Sequence, residues 1–308
     1  MRVRFWGVRG STPTVERGNS HYGGNTSCVE VRLANGTVLI LDCGSGLRSL
    51  GNHLVREFGD VSLRCHIFLT HFHWDHIQGV PFFQPLYRPN SELLFYAVRR
   101  NKTELQAAIE EQMSNPYFPV EMTALRSARR FCNLDEDPVC ISNAVVRSAP
   151  LFHPQESVAY RIEADGAAFV FATDTEPGSF VHDRSLRKLA QGADVLVYDA
   201  QFTPQELAEG RKGWGHSSWL EGTRIAQECG VKHLILFHYD PDHDDTFVDG
   251  LVERARHVFA NTTGAAEGLE VSLPDAEAAP LLLDPWPESR PEAPWKVPPA
   301  SWHAGGVL

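Results

Sequence analysis

Residues 69–76 read Leu69-Thr70-His71-Phe72-His73-Trp74-Asp75-His76. The apolar run Cys65–Leu69 in front of the polar string predicts a strand, so the string lies at a strand's C-terminal end, where ligand-bearing loops belong. His71 and His73 are two apart and point to the same side while the chain stays extended. Asp75 and His76 fall where the backbone turns and can face a second point in space. Two nitrogen donors for one ion, and a carboxylate plus a nitrogen for another, suit a binuclear site of the zinc kind. The alternative is a surface histidine cluster without metal.

Around this string the chain is β-rich. Strands are expected at Val3–Val8, Cys28–Leu33, Thr37–Asp42 and Leu93–Ala97, and again at Val158–Ile162, Ala168–Ala172, Asp194–Tyr198 and His233–Phe237. Apolar spacing predicts helices over Ser45–Phe58, Asp183–Gln191, Ser217–Glu228 and Thr246–Phe259. Two β-rich sets, each with helices, suggest two sheets packed face to face with helices outside. Two stretches depart from this plan. Asn101–Asn115 reads as a helix followed by mixed sequence to Pro138, so 98–138 is expected to be an inserted cap or lid. From 274 to 308 the chain is rich in proline, with Trp286, Trp295 and Trp302. Such density forbids regular structure and leaves a disordered tail or an extended arm.

Composition narrows the function. The 308 residues carry 28 basic and 39 acidic side chains, a net charge of −11. Such a chain has no global attraction for nucleic acid or an anionic membrane, and an anionic substrate needs a local positive centre. No apolar run is long enough to span a bilayer, and Met1-Arg2-Val3-Arg4-Phe5-Trp6 has no signal-peptide core. Six scattered cysteines form no CxxC pair. A cytoplasmic protein with reduced thiols is expected.

The His71–His76 string is the signature of the metallo-β-lactamase-fold hydrolases, which the chain resembles over about residues 1–265. The resemblance implies a four-layer αββα sandwich with two metal ions at one edge, and three more ligands in the order His, Asp, His. His153 in Leu151-Phe152-His153-Pro154, Asp174 in Phe171-Ala172-Thr173-Asp174-Thr175, and His238 after His233–Phe237 match them. The implied sets are His71, His73 and His153 on one ion, Asp75, His76 and His238 on the other, with Asp174 shared. Zinc and manganese both suit such donors.

Aspartate rather than cysteine at 174 resembles the phosphodiesterases and glyoxalase-type thioesterases of the superfamily rather than the true β-lactamases. Gly213-Trp214-Gly215-His216-Ser217-Ser218, preceded by Val195-Leu196-Val197-Tyr198-Asp199-Ala200, is similar to the ribonuclease Z branch. There the resemblance implies that Asp199 orients His216 and that His216 protonates the departing oxygen of a phosphodiester. A histidine of near-neutral pKa is the usual acid for such a step. Ser217 or Ser218 also suits a helix cap. His216, Asp199 and Asp75 are thus the expected catalytic residues. Phe5-Trp6-Gly7-Val8-Arg9-Gly10-Ser11-Thr12-Pro13 and Gly23-Gly24-Asn25-Thr26-Ser27-Cys28 are similar to the small phosphodiesterases of this branch. Arg9 either meets a phosphate or forms a structural salt bridge, and Asn25 either reaches substrate or secures a turn.

Ribonuclease Z itself carries its tRNA-gripping arm between the positions matching His153 and Asp174, where this chain has room only for two strands and a turn. The expectation is therefore a phosphodiesterase for a small ester, a cyclic nucleotide among the candidates, with no tRNA partner, no membrane partner and a possible homodimer. Tyr117, Phe118 and Phe131 in the insert either stack on a ring or pack the insert. The competing readings are a lactone, carboxyl-ester or thioester hydrolase, which has no need of the Asp199–His216 pair, and a non-catalytic metal sensor.

Overall fold

The structure, a computed structural model, describes residues 1–98, 105–134 and 138–273. Strands β1 (Arg2–Gly7), β2 (Cys28–Arg32) and β3 (Val38–Leu41) are followed by helix α1 (Leu47–Phe58), β4 (Leu63–Leu69), the single turn α2 (Trp74–Ile77) and β5 (Ser91–Val98). Helix α3 (Leu105–Glu110) leads to β6 (Ala128–Leu134). Then come β7 (Val139–Ile141), β8 (Ala144–Leu151), β9 (Ser157–Ala164), β10 (Ala167–Ala172), α4 (Phe180–Ala190) and β11 (Val195–Asp199). The chain ends with the turn α5 (Pro204–Glu206), α6 (Trp219–Glu228), β12 (His233–Phe237), α7 (Asp245–Val258), β13 (Thr262–Gly264) and β14 (Glu270–Ser272).

Among the described residues there are two seven-stranded sheets, ordered β14-β1-β2-β3-β4-β5-β6 and β13-β12-β11-β10-β9-β8-β7. Side-chain alternation in β4 shows how the layers form. Leu63, Cys65, Ile67 and Leu69 pack outward with Leu47, Leu50 and Leu54 of α1. Phe68 points inward with Phe5, Tyr160 and Phe237. Two ring contacts tie the sheets together, Phe68 edge-on to Tyr160 at 5.4 Å and Phe5 to Phe237 at 6.0 Å. In the second sheet β10, β11 and β12 are buried along their whole length, which is why they read as continuous apolar runs. Helices α4, α6 and α7 cover that sheet, giving the αββα order.

Strand direction decides where the polar loops emerge. β3 and β4 are parallel, so the residues following each leave the first sheet at one edge. β10, β11 and β12 are parallel. β8 runs antiparallel to β9 and β9 antiparallel to β10, so β8 points the same way as β10. The residues after β8, β10, β11 and β12 therefore share one edge too.

Three differences from the sequence reading stand out. Residues 98–138 are not simply an added cap: β6 is an edge strand of the first sheet, parallel to β5. Its sequence, Ala128–Leu134, carries two arginines and lacks a clean alternation, so it gave no strand signal. β7, β13 and β14 have three residues each, too few for periodicity to register. β14 also crosses back to pair with β1, so the first sheet is not made from the N-terminal half alone. The start of the helix expected over 101–115 and the proline- and tryptophan-rich segment 274–308 lie outside the described residues. No helix among the described residues is long and apolar enough to cross a membrane.

Candidate metal centre

The shared edge gathers the expected residues. His71 and His73 follow β4, Asp75 and His76 lie in α2, His153 follows β8, Asp174 follows β10, Asp199 ends β11 and His238 follows β12. Asp174 and His238 hold left-handed backbone, with φ of 57° and 63°. Residues other than glycine occupy that region at a cost that clusters at functional sites.

Two sets of donors converge. In the first, Nδ1 of His73 lies 3.0 Å from Nε2 of His71 and 3.1 Å from Nε2 of His153. In the second, Oδ2 of Asp75 lies 3.2 Å from Nε2 of His76 and 3.3 Å from Nε2 of His238, and those two nitrogens are 3.3 Å apart. Asp174 divides its oxygens between them. Oδ1 is 3.7 Å from His71 and 3.9 Å from His153, while Oδ2 is 3.3 Å from both His76 and His238.

The far side of each ring fixes which nitrogen faces inward. Nδ1–H of His76 donates to Oδ2 of Asp42 at 2.7 Å. Nδ1–H of His153 donates to the carbonyl of Gly215 at 2.8 Å. The Thr70 hydroxyl donates to Asp42 and accepts from Nδ1–H of His71 at 3.0 Å. Each leaves an Nε2 lone pair turned into the cluster, the arrangement that orients imidazole ligands. Gly215 has no alternative at its position: its φ is +87°, and a Cβ there would stand 2.2 Å from Nδ1 of His153.

These donors fit divalent cations. Ligand atoms about 2.0–2.1 Å from a tetrahedral zinc lie about 3.3–3.4 Å from one another, and the second set shows 3.2–3.3 Å. Four carboxylates, Asp42, Asp75, Asp174 and Asp199, are buried around the cluster, and buried anions require compensating positive charge. Burial pushes His71 and His153 down, leaving neutral rings with lone pairs to give. Burial opposes the charge on Asp75 and Asp174, yet the surrounding histidines hold both well below the usual carboxylate range. The cluster is thus a site for divalent metal.

Beside it lies a second unit. Nδ1 of His216 is 3.0 Å from Oδ2 of Asp199 and 3.9 Å from Oδ1 of Asp174. Asp199 is fully buried and also accepts from the backbone N–H groups of Asp174, Gln201 and Ser217. Burial alone would lower His216, but Asp199 outweighs it and the ring is pushed up to about 9. Ser218 caps α6, its hydroxyl accepting from the N–H of Glu221 at 3.5 Å.

Arg9 and Asn25 are corrected. Arg9 is fully buried and donates to the carbonyls of Gly23, Asp240 and His243, so no face of its guanidinium is open to a phosphate. Asn25 binds Glu267 through its backbone N–H and its side-chain amide, and accepts from Ser45; it secures the loop. In the expected insert, Phe131 stacks on Phe95 at 5.3 Å and Phe118 meets Phe82 edge-on at 5.8 Å, while Tyr117 is 78% exposed. Sequence reasoning missed Asp42 and Glu176. Asp42 ends an apolar strand just as Asp199 does, and that was the available signal. Glu176 accepts from the N–H groups of Gly213 and Gly215, a clamp that no local pattern announces.

Comparison with known proteins agrees with this geometry. Residues 37–239 match the model of the Beta-lactamase superfamily domain. Ribonuclease Z of Haloarcula marismortui is 27% identical over 326 aligned positions, covering 90% of this chain and 99% of the relative. The metallo-beta-lactamase fold protein YhfI from Bacillus subtilis superposes with a TM-score of 0.66 at 20% identity, over 88% of this chain and 98% of that one. The short form of human tRNase Z gives 0.60 at 20% identity, over 89% and 100%. The chain belongs to the beta-lactamase superfamily and is a metal-dependent hydrolase. The expectation of no tRNA partner is overturned by these relatives, which align with the chain along almost their whole length. The β9–β10 hairpin is as short as the spacing of His153 and Asp174 implies. However, a missing insertion and a net negative charge concern regions away from the reacting centre, and neither bars an RNA phosphate from reaching it.

Proposed function

We propose that this member of the beta-lactamase superfamily hydrolyses phosphodiesters. His71, His73 and His153 hold one divalent cation, Asp75, His76 and His238 hold a second, and Asp174 lies between them. Zinc and manganese both suit the donor set. Two such ions supply a water of lowered pKa and neutralise the charge of an attacked phosphate. The observation that carries the assignment to phosphodiesters is the Asp199–His216 pair, set 3.0 Å apart at the rim of the donor cluster. Carboxyl esters and thioesters leave without needing such an acid, whereas an alkoxide leaving a phosphate requires one. Asp199 fixes the ring by accepting from Nδ1, and His216 gives its proton to the departing oxygen. The relatives named ribonuclease Z and tRNase Z bring RNA into the substrate class alongside small diesters.

The test is hydrolysis of bis(p-nitrophenyl) phosphate by zinc- or manganese-loaded protein beside an Asp75→Ala control, with a tRNA transcript assayed in parallel. Metal-dependent release of nitrophenolate, lost in the control, is the expected result. No release from protein that has bound metal would remove the phosphodiester assignment and turn attention to lactones and thioesters.

A further inference from the structure

We propose that the cavity beside His71 and His73 is a nucleobase subsite in which Gln112 reads the edge of the ring. The inference rests on the phosphodiester reading above and adds what lies next to the scissile phosphate. The cavity has a volume of about 550 Å³ and is lined by both histidines. Its walls are largely apolar, from Phe72, Ile77, Val98, Ala108 and Val158. Gln112 forms part of the wall and is 8% exposed, and neither its amide nitrogen nor its amide oxygen has a hydrogen-bond partner. It sits in the turn Glu111–Met113 after α3, fixed by the fully buried Met113.

Buried amides in folded proteins are almost always paired, because an unpaired one has lost water and gained nothing. Both ends of Gln112 lack partners at a cavity that borders the reacting centre, so a ligand is the missing partner. An amide offers a donor and an acceptor side by side. Its planar complement is the edge of a nucleobase, the pairing that glutamine makes with adenine. A ring pressed between the apolar walls meets this amide once the last side-chain torsion turns toward it. Tyr117, exposed at the rim of the same cavity, gives the base a face to stack on.

Charge separates the two halves of the ligand. No lysine or arginine is among the described residues lining the cavity, whereas Glu111 and Glu156 are. A phosphate is repelled there and drawn to the cation-binding cluster; an uncharged ring is not. The substrate class that fits is a nucleotidyl phosphodiester with its base adjacent to the bond that breaks.

The experiment uses the metal-loaded full chain and two readouts. Binding of adenosine and of uridine, which carry no phosphate, is measured by calorimetry for the wild type and for Gln112→Leu. Hydrolysis of nucleoside 5′-(p-nitrophenyl phosphate) is measured relative to bis(p-nitrophenyl) phosphate in the same pair. Replacing an unpaired buried amide by an apolar side chain of similar size leaves the fold intact, and an unchanged melting temperature verifies that. Saturable nucleoside binding weakened on the order of tenfold in Gln112→Leu is expected, with a similar fall in the ratio of the two kcat/KM values. Failure of both nucleosides to bind, or equal binding by the variant, overturns the subsite. Gln112-dependent nucleoside binding by a protein that cleaves neither ester would leave the subsite standing and sink the phosphodiester reading instead.

Discussion

His76 points its Nδ1–H at Oδ2 of Asp42 across 2.7 Å, and both residues are fully buried. Asp42 also accepts from the hydroxyls of Ser27 and Thr70 and from the N–H of Thr70. One carboxylate at the end of β3 therefore sets the orientation of His76 directly and of His71 through Thr70, without itself joining either donor set. Asp42→Asn keeps the shape and removes the charge that fixes these rings. Loss of such an orienting partner lowers metal affinity about 10–100-fold. Competition with a chromophoric chelator measures this, and wild-type affinity in Asp42→Asn would show that the rings are positioned by packing alone.

Gly215→Ala tests the first donor set alone. The added methyl would collide with His153 at 2.2 Å on a backbone of positive φ, so His153 must leave its place while the second set, on other loops, is untouched. Metal analysis should find about one ion per chain fewer than in wild type. Full metal content together with an unaltered melting temperature would mean that the loop moves instead of the histidine.

His216→Ala separates proton donation from cation binding. Removing a general acid costs about 10²–10⁴-fold where the leaving oxygen needs a proton, and p-nitrophenolate does not. Rates on alkyl phosphodiesters should fall by that range while p-nitrophenyl esters change little. Equal losses on both would place His216 among the groups that hold the site together rather than those that deliver protons.

The seven donors were legible because each ends a strand, and strand ends in parallel neighbours meet at one edge whatever the lengths of the intervening helices. Asp199 and His216 were legible for the same reason, the first by its strand and the second by its glycine-flanked loop. Arg9 misled because a cation beside a glycine-rich turn looks the same in sequence whether it faces solvent or three backbone carbonyls. β6 was lost in a supposed cap because an edge strand with arginines on it carries no hydrophobic period. The role of Gln112 depends on which side of a short turn packs inward, a tertiary fact with no local trace.

Removing the metal should make stability depend on pH in a defined direction. Without cations, burial opposes charge on His76, but Asp174, Asp75 and Asp42 raise it well above its ordinary value of 6.5. A group whose folded pKa is raised contributes stability that is complete below its unfolded pKa and is lost as pH rises through the folded one. Asp75 and Asp174 are shifted the other way, so what they contribute is present above the usual carboxylate range and lost only in strong acid. The chelated protein should therefore lose melting temperature steadily as pH is raised above 6.5, as the proton on His76 that balances the carboxylates departs. Cations replace that proton, and a ligand bound only by the folded state stabilises it by about 4 kcal/mol at a thousandfold excess over Kd. The loaded protein should hold its melting temperature across the same alkaline range. Scanning calorimetry at a series of pH values, with and without chelator, measures both curves. If the two run parallel above pH 6.5, His76 carries no proton in the metal-free fold, and the buried carboxylates are balanced by other means.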